Sequence, residues 1–152
     1  MKDFNNSGKA ASYLKVWNTL YDIDSYTESG ADLNQFEAGF KGKEKATFPY
    51  DLKQLKDQNS GYDIIKGSAF GNSLTTDFAI AAIEGEALGA DSITDFLTVS
   101  FSSTDYVGHN FGVNSKEIQD TYLRLDQDLE RFFKVLDTKV GMGQYTVFLT
   151  AD

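Results

Sequence analysis

The apolar positions change rhythm near residue 70. Beyond it, Leu74, Phe78, Ala81, Ala82 and Leu88 recur at helical spacing, with Asn72 or Ser73 placed to cap the helix and Gly89 just past its end. The run Phe96-Leu97-Thr98-Val99-Ser100-Phe101 then predicts a buried strand. A glycine-containing loop is expected over 102–112. Asn114 or Ser115 opens a second helix, in which Ile118, Tyr122, Leu125, Leu129, Phe132 or Phe133, and Leu136 fall three or four residues apart. Gly141 and Gly143 end it, and Tyr145-Thr146-Val147-Phe148-Leu149-Thr150 predicts a second buried strand. Helix, strand, loop, helix, strand is the order of an α/β fold with a mostly parallel sheet flanked by helices. Sites in such folds lie outside the carboxyl ends of the strands, which here are residues 102–109 and 150–152.

Before residue 70 the pattern is irregular. Leu14, Val16, Trp17 and Leu20 fit an amphipathic turn or two, and Ser29-Gly30, Lys41-Gly42-Lys43 and Asn59-Ser60-Gly61 punctuate the rest. Aromatic residues are frequent here, and their expected role is to pack an irregular subdomain rather than to stack on a sugar or a base. The chain therefore divides into an aromatic-rich subdomain or insertion over 1–69 and part of an α/β core over 70–152. A buried strand running up to Asp152 calls for a further crossover to cover the sheet, so the sequence is expected to be an internal part of a larger protein.

Composition narrows the partners. Of 152 residues, 41% are hydrophobic, enough to bury a core, while 14 basic against 23 acidic residues give a net charge of −9. That balance speaks against nucleic acid and anionic membranes, both of which are bound mainly through Lys and Arg. An acidic protein acting on phosphate needs local positive charge, and metal ions are its densest source. The absence of cysteine excludes disulfides, thiolate ligands and cysteine nucleophiles. No stretch approaches the ~20 apolar residues of a membrane-spanning helix, and the first residues carry no signal-peptide pattern.

The sharpest local feature holds the single histidine, His109, four residues after Asp105. A carboxylate and an imidazole so placed can share one zinc ion, with Gly108 and Gly112 letting the loop turn both toward one spot. Two ligands are fewer than a zinc site uses, and on spacing alone ordinary hydrogen bonding within a loop is the readier account. Asp152, after an apolar strand, is either a ligand at the mouth of the sheet or an N-cap for the next element. Ser102, Ser103 and Thr104 are expected to be hydrogen-bonding residues rather than nucleophiles, since no Gly-x-Ser-x-Gly elbow surrounds them. The stretch Gly67 to Ser73 reads as a turn plus a helix cap, and Arg124, Asp126, Asp128, Glu130 and Arg131 as a solvated charged face.

The run from Ser100 to His109, with Phe111-Gly112, resembles the metal-binding segment of bacterial alkaline phosphatases of the PafA type. So do Asn114-Ser115, Glu117, Tyr122, Leu125-Asp126 and the closing Phe148-Leu149-Thr150-Ala151-Asp152, with Trp17-Asn18-Thr19-Leu20-Tyr21, Phe48-Pro49 and Gly71-Asn72 upstream. Val113 and Ser68-Ala69-Phe70 depart from it where relatives carry proline. The same core is shared by nucleotide pyrophosphatases and phosphodiesterases. The resemblance implies two zinc ions in the full-length parent, one held by Asp105 and His109 and the other by Asp152. It also implies a Thr or Ser nucleophile in an earlier segment outside this chain, a phosphoryl-enzyme intermediate and a small phosphate monoester as substrate. A monomer in the periplasm or secreted is implied too. For these 152 residues alone, weak zinc binding and no useful turnover are expected. A phosphodiesterase of the same superfamily and a non-catalytic α/β binding module are the alternatives.

Overall fold

In the computed structural model, which describes residues 2–151, the chain opens with two short helices, α1 (Lys2–Asn6) and α2 (Lys9–Ser12). Strand β1 (Val16–Trp17) pairs antiparallel with β2 (Tyr50–Asp51), Trp17 lying opposite Tyr50. Helix α3 (Leu52–Leu55) follows, then tight 3-10 turns over Lys56–Gln58 and Gly61–Gly67. Three longer helices complete the structure: α4 (Phe70–Gly85), α5 (Ser103–Phe111) and α6 (Lys116–Leu136). Trp17 thus belongs to a strand and not to the amphipathic turn expected there, because its partner Tyr50 lies too far along the chain for local periodicity to register.

The main core joins both halves of the sequence. Trp17, Phe40, Tyr50, Leu52, Ile64 and Ile65 pack with Phe70, Val107, Phe111 and Ile118. Aromatic rings dominate it, with Trp17 edge-on to Phe48 and Phe111, and Phe40 edge-on to Tyr50. Edge-to-face pairs of this kind add about 0.5–1.5 kcal/mol each beyond the area they bury. A smaller cluster of Ala79, Ile83 and Phe132 ties α4 to α6.

Three expectations need correction. Residues 96–101 and 145–150 carry no regular secondary structure, and among the described residues the only ladder is β1–β2, so the parallel sheet is not shown. An apolar run encodes extended, dehydrated chain, but a ladder also needs neighbours to accept its backbone groups. Phe96 is 88% exposed and Phe148 and Leu149 are each 86% exposed. Second, α4 begins at Phe70 and buries Asn72, Thr76, Ala79 and Ile83, while Leu74 is only partly buried against the core and Phe78 is exposed. Third, the charged face of α6 is only half solvated: Asp128 is buried and joins Asp77 through the Arg131 guanidinium, which bonds both. Tyr122, expected inside, is 57% exposed.

Helix α6 buries three carboxylates, Asp128 and, nearer its start, Glu117 and Asp120. Ser115 caps it, accepting from Ile118 N at 3.1 Å, and the next turns carry Glu117 and Asp120 into the core. Asp120 is fully satisfied: Oδ1 accepts from Leu20 N (2.7 Å) and Tyr26 Oη (2.5 Å), and Oδ2 from Trp17 Nε1 (2.6 Å) and Arg124 Nε (2.6 Å). Glu117 is not. Its Oε1 accepts from Tyr50 Oη at 2.5 Å, while Oε2 has no partner. Burial pushes Glu117 up to about 7 against the Tyr50 hydrogen bond, and Glu37 is likewise pushed up to about 7 by burial and by Asp32.

This gives a pH dependence of definite sign. Glu117 holds its proton more tightly folded than unfolded, where the value is 4.5. Its contribution to stability is therefore complete below that value and is lost as pH rises through about 7. Glu117→Gln keeps a neutral acceptor for Tyr50. Its unfolding midpoint is expected to match wild type in acid, to pull ahead as pH rises from 4.5 to about 7, and to keep a constant lead above that. Parallel midpoints for the two proteins from acid to alkaline pH would show that Glu117 is ionised in the core.

Candidate metal centre

The 102–112 segment, expected as a loop, is the helix α5. Ser103, Val107 and Phe111 recur every four residues and turn inward, which is the helical signal that the two glycines masked. A mid-helix glycine costs only about 1 kcal/mol, so Gly108 does not break the helix. Gly112 does end it, with φ of 90° and its N–H bonded to Gly108 O at 2.8 Å.

Helical geometry, rather than a loop bend, brings the two sequence candidates together. Asp105 and His109 stand one turn apart on the outer face, with side chains 71% and 81% exposed, and Asp105 Oδ1 lies 3.3 Å from His109 Nε2. Tetrahedral zinc with ligand distances of about 2.0–2.2 Å sets neighbouring ligand atoms about 3.4 Å apart. The pair therefore has the donor types and the separation of one edge of a zinc site. As a plain i,i+4 contact it would contribute only about 0.2–0.5 kcal/mol to the helix. Among the described residues no group of three or more His, Cys, Asp or Glu gathers to hold a metal, and no third such residue joins the pair. Asp152, the third candidate, lies outside the described residues.

Two of the three hydroxyls beside the pair, those of Ser102 and Thr104, make hydrogen bonds as expected. Ser103 is buried, Thr104 Oγ1 accepts from Asn72 Nδ2 at 3.0 Å, and the Ser100 and Ser102 hydroxyls face each other at 3.0 Å. Asn72 is the residue that sequence reasoning misplaced. It sits inside α4 and turns away from its own helix, accepting from Ser103 N at 3.2 Å through Oδ1. The close approach requires Gly71, where a Cβ would lie 1.9 Å from Ser103 Oγ and 2.9 Å from Lys66 Cα. The Gly-Asn pair was the visible signal, but its partner is 31 residues away.

Comparison with known proteins places this geometry. A family model described as type I phosphodiesterase / nucleotide pyrophosphatase matches residues 6–152. A protein of Myroides odoratus named calcium-transporting ATPase is 53% identical over 155 residues, covering all of this chain and 28% of the relative. Alkaline phosphatase PhoV of Synechococcus elongatus is 52% identical over 153 residues, again covering all of this chain and 28% of the relative. The crystal structure of wild-type alkaline phosphatase PafA superposes with a TM-score of 0.90 at 50% identity, over 95% of this chain and 28% of that one. The chain thus spans little more than a quarter of the length of these relatives. The likeness to alkaline phosphatases read from the residues around Asp105 and His109 extends over the whole sequence, and the chain belongs to the type I phosphodiesterase / nucleotide pyrophosphatase family.

Proposed function

We propose that the chain is the metal-binding part of a zinc-dependent phosphatase that hydrolyses phosphate monoesters through a phosphoryl-enzyme intermediate. The observation that carries this reading is the approach of Asp105 Oδ1 and His109 Nε2 on the open face of α5, in a chain whose relatives include named alkaline phosphatases. Asp105 as carboxylate and His109 as neutral imidazole would hold one zinc, and Asp152 would serve a second. Bound zinc supplies Lewis-acid stabilisation of the attacking and leaving oxygens in an in-line displacement.

This chain's own part is to place ligands. Ser103 is buried and Thr104 Oγ1 accepts from Asn72, in keeping with a nucleophile on another segment of the polypeptide. The same reading makes 96–101 and 145–150 strands of a parallel sheet whose neighbours come from that polypeptide. Asp105 and Asp152 would then lie just past the carboxyl ends of two strands, where such sheets build their sites. Residues 1–69 would be an inserted subdomain beside the core part, 70–152. The working protein would be a periplasmic or secreted monomer with no nucleic-acid or membrane partner.

The family description keeps one rival in view, a phosphodiesterase. The two separate in an assay of the protein expressed from its complete reading frame, comparing an aryl phosphate with a bis-aryl phosphodiester. A higher kcat/KM for the monoester is expected. Preference for the diester would transfer the chain to the rival activity, and hydrolysis of neither would leave the non-catalytic binding module.

A further inference from the structure

We infer that Asn72 is a positioning residue for the Asp105–His109 pair, holding the ligand-bearing end of α5 from the neighbouring helix. This rests on the reading of that pair as zinc ligands.

Helix α5 does not cap itself. Ser102, at its N-cap, has φ −69° and ψ −16° and its side chain makes no capping hydrogen bond. The first N–H groups of a helix need an acceptor from elsewhere, and Asn72 supplies one for Ser103 N. Its other amide atom donates to Thr104 Oγ1. Both polar ends of one buried side chain, 1% exposed, are thus spent on residues 103 and 104, the two that precede Asp105.

The inward residues Val107 and Phe111 fix the rotation of α5 about its axis, but apolar contacts are non-directional and tolerate sliding. The Asn72 amide is directional and grips the first turn, so it sets the axial position and tilt of the end that carries Asp105. Apart from their contact with each other, the exposed side chains of Asp105 and His109 have no hydrogen bond among the described residues that would hold them independently. Their position follows that of the helix. Gly71 serves the same end, since the grip is possible only where the α4 backbone comes within reach of Ser103.

The test uses the protein from its complete reading frame and measures zinc affinity by chelator competition, with the thermal midpoint beside it. Asn72→Ala is expected to weaken zinc binding by about tenfold, the lower end of what partners behind a metal's ligands contribute. Ile83→Ala, in the second core cluster, is expected to lower the thermal midpoint with little change in zinc affinity. Asn72→Asp keeps an acceptor for Ser103 N, and the Thr104 hydroxyl can turn to donate to it, so most of the affinity should return. Equal zinc affinities for Asn72→Ala and Ile83→Ala would reduce Asn72 to ordinary packing. Should Asn72→Ala fail to fold, Thr104→Val breaks one of the two bonds at nearly constant volume, and wild-type zinc affinity there would overturn the inference. Asp105→Ala separates the two levels of the argument. If it leaves zinc binding intact, the ligand reading falls and takes this inference with it; if it abolishes binding while Asn72→Ala behaves as Ile83→Ala, only the positioning role is lost.

Discussion

Asp105→Ala and His109→Ala are each expected to cut zinc affinity of the protein from its complete reading frame by at least about a hundredfold, while the zinc-free fold stays as stable as zinc-free wild type. Partners one step behind a ligand already account for about ten- to hundredfold, and a ligand itself must count for more. The fold should tolerate the change because both side chains are largely exposed and bond only each other. Exposed pairs of this kind contribute about 0–1 kcal/mol, and substitutions on such a surface usually fall within about 0.5 kcal/mol. Zinc content after dialysis and the thermal midpoint of the same samples form the check. Activity with an aryl phosphate should fall along with the zinc and return in part at raised zinc concentration. Full zinc content in either variant would remove the pair from the metal centre.

The largest loss of stability is expected from Asp120→Ala. Four donors converge on this one carboxylate: the Trp17 indole, the Leu20 backbone N–H, the Tyr26 hydroxyl and the Arg124 guanidinium. Asp120 itself is fully buried. Alanine would strand those donors, and the guanidinium would lose its counter-charge. Removing one member of a buried ion pair costs about 3–5 kcal/mol, a large part of the roughly 5–15 kcal/mol by which a protein of this kind is stable. The thermal midpoint should drop by about 10 °C or more. Asparagine should recover only part of the loss, since its NH2 would face an N–H donor on either side and only the Tyr26 hydroxyl can turn to accept from it. A drop of only a few degrees in Asp120→Asn would mean that the cluster rearranges around water.

The parts of this structure that were legible in the sequence are those in which cause and effect lie within a few residues. Ser115 caps α6 and the spacing of Ile118, Leu125 and Phe132 gives its course, because capping and helical period are local properties. The Asp105–His109 spacing was visible for the same reason, although a loop was assigned where a helix does the work; the glycines drew attention from Val107 and Phe111. What stayed hidden depends on partners far along the chain. Trp17 pairs with residues on β2, Asn72 serves the start of α5, and the carboxylates of Glu117 and Asp120 are drawn inside by Tyr50, Trp17 and Tyr26. No hydrophobic pattern announces a buried acid. The strands expected at 96–101 and 145–150 show the converse limit, since an apolar pattern does not supply the neighbour that would make a strand.

The bond between Trp17 and Asp120 closes a span of 103 residues, and this has a consequence for how the chain comes into being. At synthesis rates of about 5–20 residues per second, Asp120 follows Trp17 by roughly 5–20 s. Throughout that interval the early aromatic residues have been made, yet the helices that enclose them have not. Contacts so distant along the chain also fold slowly, because the entropy of closing the loop must be overcome before any contact repays it. Until the helices bearing Phe70, Val107, Phe111 and Ile118 are made, Trp17 and Tyr50 have no core to enter, so the first half of this chain cannot close its core by itself.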